Sequence, residues 1–301
     1  MESGSGYYFK MDETKLKIQV HHIGGIGDCG PAEQMTMLKD DVKWTFYDAS
    51  EESLEKCNIE NKDATLINKA IGGENNKVKF NIMKNKSASS VLMPAKSAEE
   101  YAIPGTDISW GEHTEIIGTE EIELNKLDTL IEKGEISKPD FLSIDVQGTE
   151  LEVIKGIQEN LKDVQGLVCE VEFSQLYEGQ ALFPEIFNKM KDNGFRFCAF
   201  YNMQYFPSHT FAKQVRGFGF LTVAEALFLR EPKFDDLTAD KIVKLFKLCA
   251  IAICFNQRDW AHYILEIMRL KGVNIWDCDK ENKFFYMNKL KEAYRIHTWN
   301  I

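Results

Sequence analysis

Polar and apolar positions alternate in Leu16-Lys17-Ile18-Gln19-Val20, and the chain stays strand-like to Ile23 before meeting Gly24-Gly25-Ile26-Gly27-Asp28-Cys29-Gly30. Period-two alternation ending in glycines predicts a β-strand that turns sharply into the next element. Further strands are predicted at Val42 to Tyr47, Ala64 to Asn68, Phe141 to Asp145 and Gly166 to Glu172. Helices are predicted over Pro31 to Lys39, Glu51 to Asn61 and Thr149 to Leu161. Phe183 to Met190 carries apolar residues at i, i+3, i+4 and i+7 and stops at Gly194. Thr149 and Glu152 have capping-box spacing, and Gly134 closes a short helix at Leu127 to Glu132. Lys77 to Met83, Ser89 to Met93 and Thr119 to Leu124 predict an inserted antiparallel elaboration.

Strands alternating with helices predict a doubly wound, mostly parallel α/β sheet. The alternation ends at Phe195 to Tyr201 and Ala224 to Arg230, two strands with no helical pattern between them. Strands of one sheet joined without a crossover helix are most simply antiparallel. The expected fold is therefore a seven-stranded Rossmann-like sheet ending in an antiparallel pair. Beyond it, Ile242, Val243, Leu245, Phe246, Cys249, Ala252 and Ile253 form one apolar helix face, and Trp260 to Met268 and Phe284 to Leu290 suggest two further helices. This divides the chain into a flexible leader over 1–14, a cofactor-binding domain over 15–232 and a helical appendage over 233–301. That appendage completes the core, covers the acceptor site or mediates self-association.

With 44% hydrophobic residues and 12% aromatics, the 301-residue chain can bury a sizeable core. Its net charge of −11 argues against nucleic-acid and polybasic membrane partners. The longest apolar run, Leu248 to Phe255, is far short of the roughly 20 residues that span a bilayer. Seven cysteines without metal-type pairing, several of them in apolar runs, suit reduced thiols and a cytoplasmic location. No His/Cys cluster has ligand spacing, so no metal is assigned.

In open α/β sheets ligands bind beyond the carboxyl ends of the strands, which marks Asp145. Gly25-x-Gly27-x-x-Gly30 follows a strand, and Asp48 stands near the offset at which an acid holds a cofactor ribose. The same signs also fit a nicotinamide-dependent oxidoreductase. Glu170 and Glu172 share one strand face.

Leu142-Ser143-Ile144-Asp145-Val146-Gln147-Gly148-Thr149-Glu150-Leu151-Glu152-Val153-Ile154-Lys155-Gly156 resembles the hallmark segment of the FkbM-type methyltransferases, a branch of the class I S-adenosylmethionine-dependent enzymes. Leu124 to Asp128, Asn68 to Ile71, Glu170 to Phe173, Leu176 to Gln180 and Ala224 to Phe228 support a resemblance running from Leu16 to Arg230. Gln147 replaces the family's usual Glu, Ser143 a common Lys, and His22 an acid at the end of the first strand. The resemblance implies S-adenosyl-L-methionine as cofactor and methylation of a hydroxyl on a small-molecule, sugar or glycan acceptor. It places Gly24, Gly25, Gly27 and Asp28 at the methionine end, Asp48 at the ribose and Asn68 near the adenine. Asp145, Glu170 and Glu172 become the catalytic carboxylates, and Tyr177 and Gln180 the acceptor contacts. A non-catalytic scaffold keeping the fold is the remaining alternative.

Overall fold

The computed structural model describes residues 16–24, 30–50, 54, 64–210, 217–273 and 284–298. The leader over 1–14, nearly all of the helix expected at Glu51 to Asn61, and Gly25, Gly27 and Asp28 lie outside the described residues.

In chain order the strands are β1 (Ile18–Gly24), β2 (Val42–Asp48), β3 (Thr65–Asn68), β4 (Ala70–Ile71), β5 (Asn76–Met83), β6 (Ile116–Asn125), β7 (Phe141–Asp145), β8 (Gly166–Glu172), β9 (Phe195–Phe206) and β10 (Phe220–Arg230). Seven of them form one sheet in the order β3-β2-β1-β7-β8-β10-β9. β1 pairs in parallel with β2 and β7, β2 with β3, and β7 with β8. β10 runs antiparallel to both β8 and β9, as the missing crossover helix requires. The central strands are apolar because both faces are covered. Phe141 faces one buried cluster, while Leu142 and Ile144 face the other.

A three-stranded sheet, β4-β6-β5, forms the insertion, with β5 and β6 antiparallel. The expected strand at Ser89 to Met93 does not form: Ser90 makes a single bridge to Asn81. Its hydroxyl instead donates to the Gln147 carbonyl at 2.6 Å and accepts from Leu92 N–H at 3.1 Å, which bends the segment over the end of β7.

The helices are α1 (Trp110–His113), α2 (Leu127–Glu132), α3 (Glu150–Gly156), α4 (Phe183–Asp192), α5 (Ala239–Cys254), α6 (Arg258–Leu270) and α7 (Phe285–Thr298). Three expectations are corrected. The segment Gly30–Asp41 is 3₁₀ helix broken by a kink at Lys39, whose φ is +52°, and its buried Ala32, Met35 and Leu38 recur every third residue, the 3₁₀ period. α3 ends at Gly156 rather than Leu161, because the Asp128 carboxylate takes the Glu159 and Asn160 amides at 2.8 and 3.2 Å. The capping box at its start is also absent: Thr149 makes no side-chain cap.

α2, α3 and α4 cover one face of the sheet through Leu127, Leu130, Val153, Ile154, Ile186 and Met190. On the other face, Ile242, Phe246, Ile264, Met268, Met287 and Leu290 of α5, α6 and α7 join Ile18, Val20, Trp44 and Phe141 in a single apolar cluster. Thr238 caps α5 by accepting from Lys241 N–H at 3.3 Å, and Gly272 follows α6 at φ +83°.

Candidate active site

β1 and β7 end side by side, with Gly24 in register with Asp145. Their approach is so close that a Cβ on Gly24 would stand 1.9 Å from the Asp145 carbonyl oxygen, and Gly24 has φ +78°. Only glycine allows this seam. β2 ends on Asp48, whose carboxylate accepts from Ser50 N–H at 2.7 Å. Partial burial raises its pKa, and that hydrogen bond opposes the rise. These strand ends open into a cavity of about 580 Å³, in the range of small-molecule sites. Phe80, Ile82, Ile122 and Leu124 of the inserted sheet make its apolar wall.

The polar floor is built from the turn between β7 and α3. Gln147 at φ +58° and Gly148 at φ +97° reverse the chain there. The Gln147 amide donates to Asp145 Oδ1 at 2.6 Å and to Glu170 Oε2 at 3.2 Å, joining the ends of β7 and β8. Behind it, the buried Glu150 carboxylate accepts from Val146 N–H and Gly148 N–H, both at 3.1 Å. Tyr177 places its hydroxyl 2.8 Å from the Ala88 carbonyl and 3.1 Å from Gln147 Oε1, tying the insertion to this floor.

So many acids in a dry place cannot all ionise. Burial, opposed by backbone N–H groups and reinforced by Asp145, raises the Glu150 pKa from 4.5 to about 7. Glu170 is held well above its ordinary value by burial and then by Asp145 and Glu172. Glu172 is raised likewise by burial, with Glu150 adding to the effect. The floor therefore keeps its protons to higher pH than free carboxyls do.

Most of the expected site residues converge here. Gly24, Asp48, Asp145, Glu170, Glu172 and Tyr177 all line the cavity. Asn68 does not: its amide donates to the carbonyls of Asp48 and Ala49 at 3.3 and 3.1 Å and braces the β2 exit. Gln180 is also set back. Its Oε1 accepts from Leu176 N–H and from Tyr177 N–H, so it shapes the loop that presents Tyr177. Its amide faces the Glu172 carboxylate, and that hydrogen bond opposes the effect of burial on the Glu172 pKa. The structure adds Glu150 and Glu225, neither singled out in the sequence. Glu225 lies opposite Glu170 across β8 and β10, accepts from the Asn202 amide at 3.0 Å, and lines the cavity beside Gly30. His113 stacks on Trp110 and also lines the cavity. The two departures at His22 and Ser143 meet each other: they are register neighbours, with Nδ1 2.9 Å from Oγ.

A doubly wound sheet with β10 reversed between β8 and β9, carrying an acidic cavity across the ends of β1, β2, β7 and β8, defines a nucleoside-cofactor α/β enzyme of methyltransferase type. The Methyltransferase FkbM domain profile matches residues 28–197, more than half of the chain, and the protein belongs to that family. Its cofactor is S-adenosylmethionine. The donor set suits it: Asp48 brings a carboxylate to the cavity beside the close-packed Gly24 seam, and the acidic floor complements a sulfonium charge. Over 44 residues the chain is 43% identical to the hexuronic acid methyltransferase AglP of Haloferax volcanii; that stretch is 15% of this chain and 18% of that protein. A magnesium protoporphyrin IX methyltransferase from Synechocystis PCC 6803, solved with bound SAM, is 12% identical over 71% of this chain and 70% of that one, with a TM-score of 0.33. Family membership displaces the nicotinamide alternative.

Proposed function

We propose that the protein transfers the methyl group of S-adenosylmethionine to a hydroxyl of a sugar or glycan, a hexuronic acid being the first acceptor to try. The observation that carries this reading is the bridged pair Asp145 and Glu170 at the cavity floor, beside the Gly24 seam. The donor supplies an electrophilic methyl, and the chain's residues supply position and a proton acceptor. Asp48 and the Gly24 backbone hold the donor, so that its methyl and the acceptor oxygen are fixed for in-line displacement. The O–C bond forms as the S–C bond breaks, sulfur keeps the electron pair, and the hydroxyl proton passes to a floor carboxylate. In their ionised form Glu170 and Glu172 suit that role, because raised pKa values bring their basicity closer to that of the group they deprotonate. The hexuronic acid acceptor rests on the named relative.

The test is incubation of the purified chain with S-adenosylmethionine and a panel of glucuronides, galacturonides and neutral glycosides. Mass spectrometry should find a methylated sugar together with S-adenosylhomocysteine, and Asp145→Asn should abolish both. S-adenosylmethionine binding without turnover on any acceptor, in wild type and variant alike, would favour a scaffold that has kept the fold.

A further inference from the structure

From the floor, one wall of the cavity runs out to the surface as an apolar strip. Val223 of β10 is in register with Glu172 of β8 and with Gln204 of β9, and further out Phe220 pairs with Phe206. A register shift at Thr222 puts one extra residue on β10, so Phe220 and Val223 share a face although they are three positions apart. Residues directly opposite in an antiparallel pair also share a face, which adds Phe206. Phe206 is buried and lines the cavity against Trp110, with ring centroids 6.1 Å apart. Phe220 beside it is 62% exposed. The backbone is fixed here: Gly219 at φ +90° lies so close that a Cβ on it would stand 2.6 Å from the Phe206 carbonyl carbon.

A second segment borders the strip. Ala102 N–H donates to the Pro207 carbonyl and Ile103 N–H to the Ile108 carbonyl, both at 2.9 Å. Ile103 lines the cavity, and Ile108 is exposed. From Val223 to Phe220 the strip covers about 10 Å of strand. Sugar hydroxyls laid against Val223, Phe206 and Ile103 would leave water without gaining partners there, which is costly. An apolar chain would lose nothing, and it would cover the exposed Phe220 ring.

We propose that the acceptor is a glycoside with an apolar, chain-like aglycone, whose chain leaves the cavity over Val223, Phe206 and Phe220. This rests on the sugar-methylation reading for the group at the floor, and it adds what that sugar is attached to. Continuity with the cavity selects this occupant, since the strip begins at the register neighbour of Glu172. An anionic lipid surface suits a chain of net charge −11 less well. Phe218 supplies a control. It is 79% exposed and lies against Tyr205, which alternates to the other face of β9, so it stands off the strip.

The test is binding rather than turnover. Full-length protein with S-adenosylhomocysteine is titrated in a calorimeter with methyl, hexyl and decyl β-glucuronides below their aggregation limits. Affinity should rise about two- to fourfold per added methylene and level off once the chain passes Phe220. Phe220→Ser should cut the decyl-to-methyl affinity ratio about tenfold, while Phe218→Ser keeps the wild-type ratio. A flat wild-type series, or no binding of any glucuronide, overturns the strip. So does an equal loss in both variants, which is what a lipid surface gripped by the whole hairpin tip would give. Should Phe220→Ser fail to fold, as judged by its circular dichroism, the wild-type and Phe218→Ser series decide: a gradient in both supports the strip, and its loss in either overturns it. Titration of S-adenosylhomocysteine alone separates the two levels. Its binding with a flat series overturns the strip only, whereas a gradient in protein that does not bind it supports the strip and overturns methyl transfer.

Discussion

At the residue scale, Asp145 was legible because an acid ending an apolar strand is conspicuous. Glu150 was not, because an acid in the first turn of a helix is already explained by the helix dipole. Only the fold shows it turned inward to hold two amides of the β7–α3 turn. His22 and Ser143 look like separate departures in the sequence; across the β1–β7 ladder they are one hydrogen-bonded pair where the family pattern has an acid and a lysine. The proton-retaining floor has a pH signature. A carboxyl raised in the fold stabilises it below its ordinary pKa, and that stability is lost as pH rises through the folded value, about 7 for Glu150 and higher than usual for Glu170 and Glu172. Buried His21, held neutral with a pKa of about 3, works in the opposite sense below its ordinary 6.5. The comparison is therefore with Glu170→Gln: from about pH 5 to about pH 9 the wild-type melting temperature should fall relative to the variant's. Asp48→Ala should weaken S-adenosylmethionine binding about 10- to 100-fold by calorimetry, the loss of charged hydrogen bonds to a ribose. An unchanged affinity would remove Asp48 from the cofactor site.

At the element scale, strands and their order of appearance followed from apolar periodicity and punctuation, and β8 and α2 have their expected limits. What periodicity could not supply was the use of side chains from distant segments. The expected continuation of α3 is lost to Asp128, and the expected strand at Ser89 to Met93 to a hydroxyl drawn toward Gln147. The seam between β1 and β7 is the element on which the site depends. Gly24→Ala would set a methyl against the Asp145 carbonyl and force φ +78° on a residue that resists it. The expected cost is roughly 3 kcal/mol or more, seen as a lower urea midpoint with donor binding lost. A variant that binds S-adenosylmethionine normally would mean that the seam relaxes freely.

At the scale of the whole molecule, α5 and its neighbours do more than extend the chain. Leu227 and Leu229 of β10 pack with them on the face opposite that served by Ala226 and Phe228. Lys247 of α5 reaches Asp140 at the entry to β7 at 2.7 Å, and the same carboxylate oxygen accepts from Gln19 N–H at 2.8 Å. Tyr286 at the start of α7 donates its N–H to Asp41 at 2.8 Å and its hydroxyl to the Leu16 carbonyl at 3.1 Å. Removing residues 237–301 should therefore give insoluble protein, and a soluble, active truncation would show that the sheet domain stands alone. Lys247→Met should cost about 3 kcal/mol in urea unfolding, since it strands a buried carboxyl. No helix among the described residues is long and apolar enough to cross a membrane.

The sequence by itself determined the strand and helix succession, the antiparallel close of the sheet and the family, because these follow from local periodicity and from one contiguous motif. Tertiary structure alone decided that Glu150 and Gln147 join Asp145 and Glu170 on one floor, that Asn68 and Gln180 stand back from it, and that the last helices roof one face of the sheet. Those outcomes depend on which residues face each other across strand ends and helix seams separated by up to hundreds of positions, a relation that spacing along the chain does not encode.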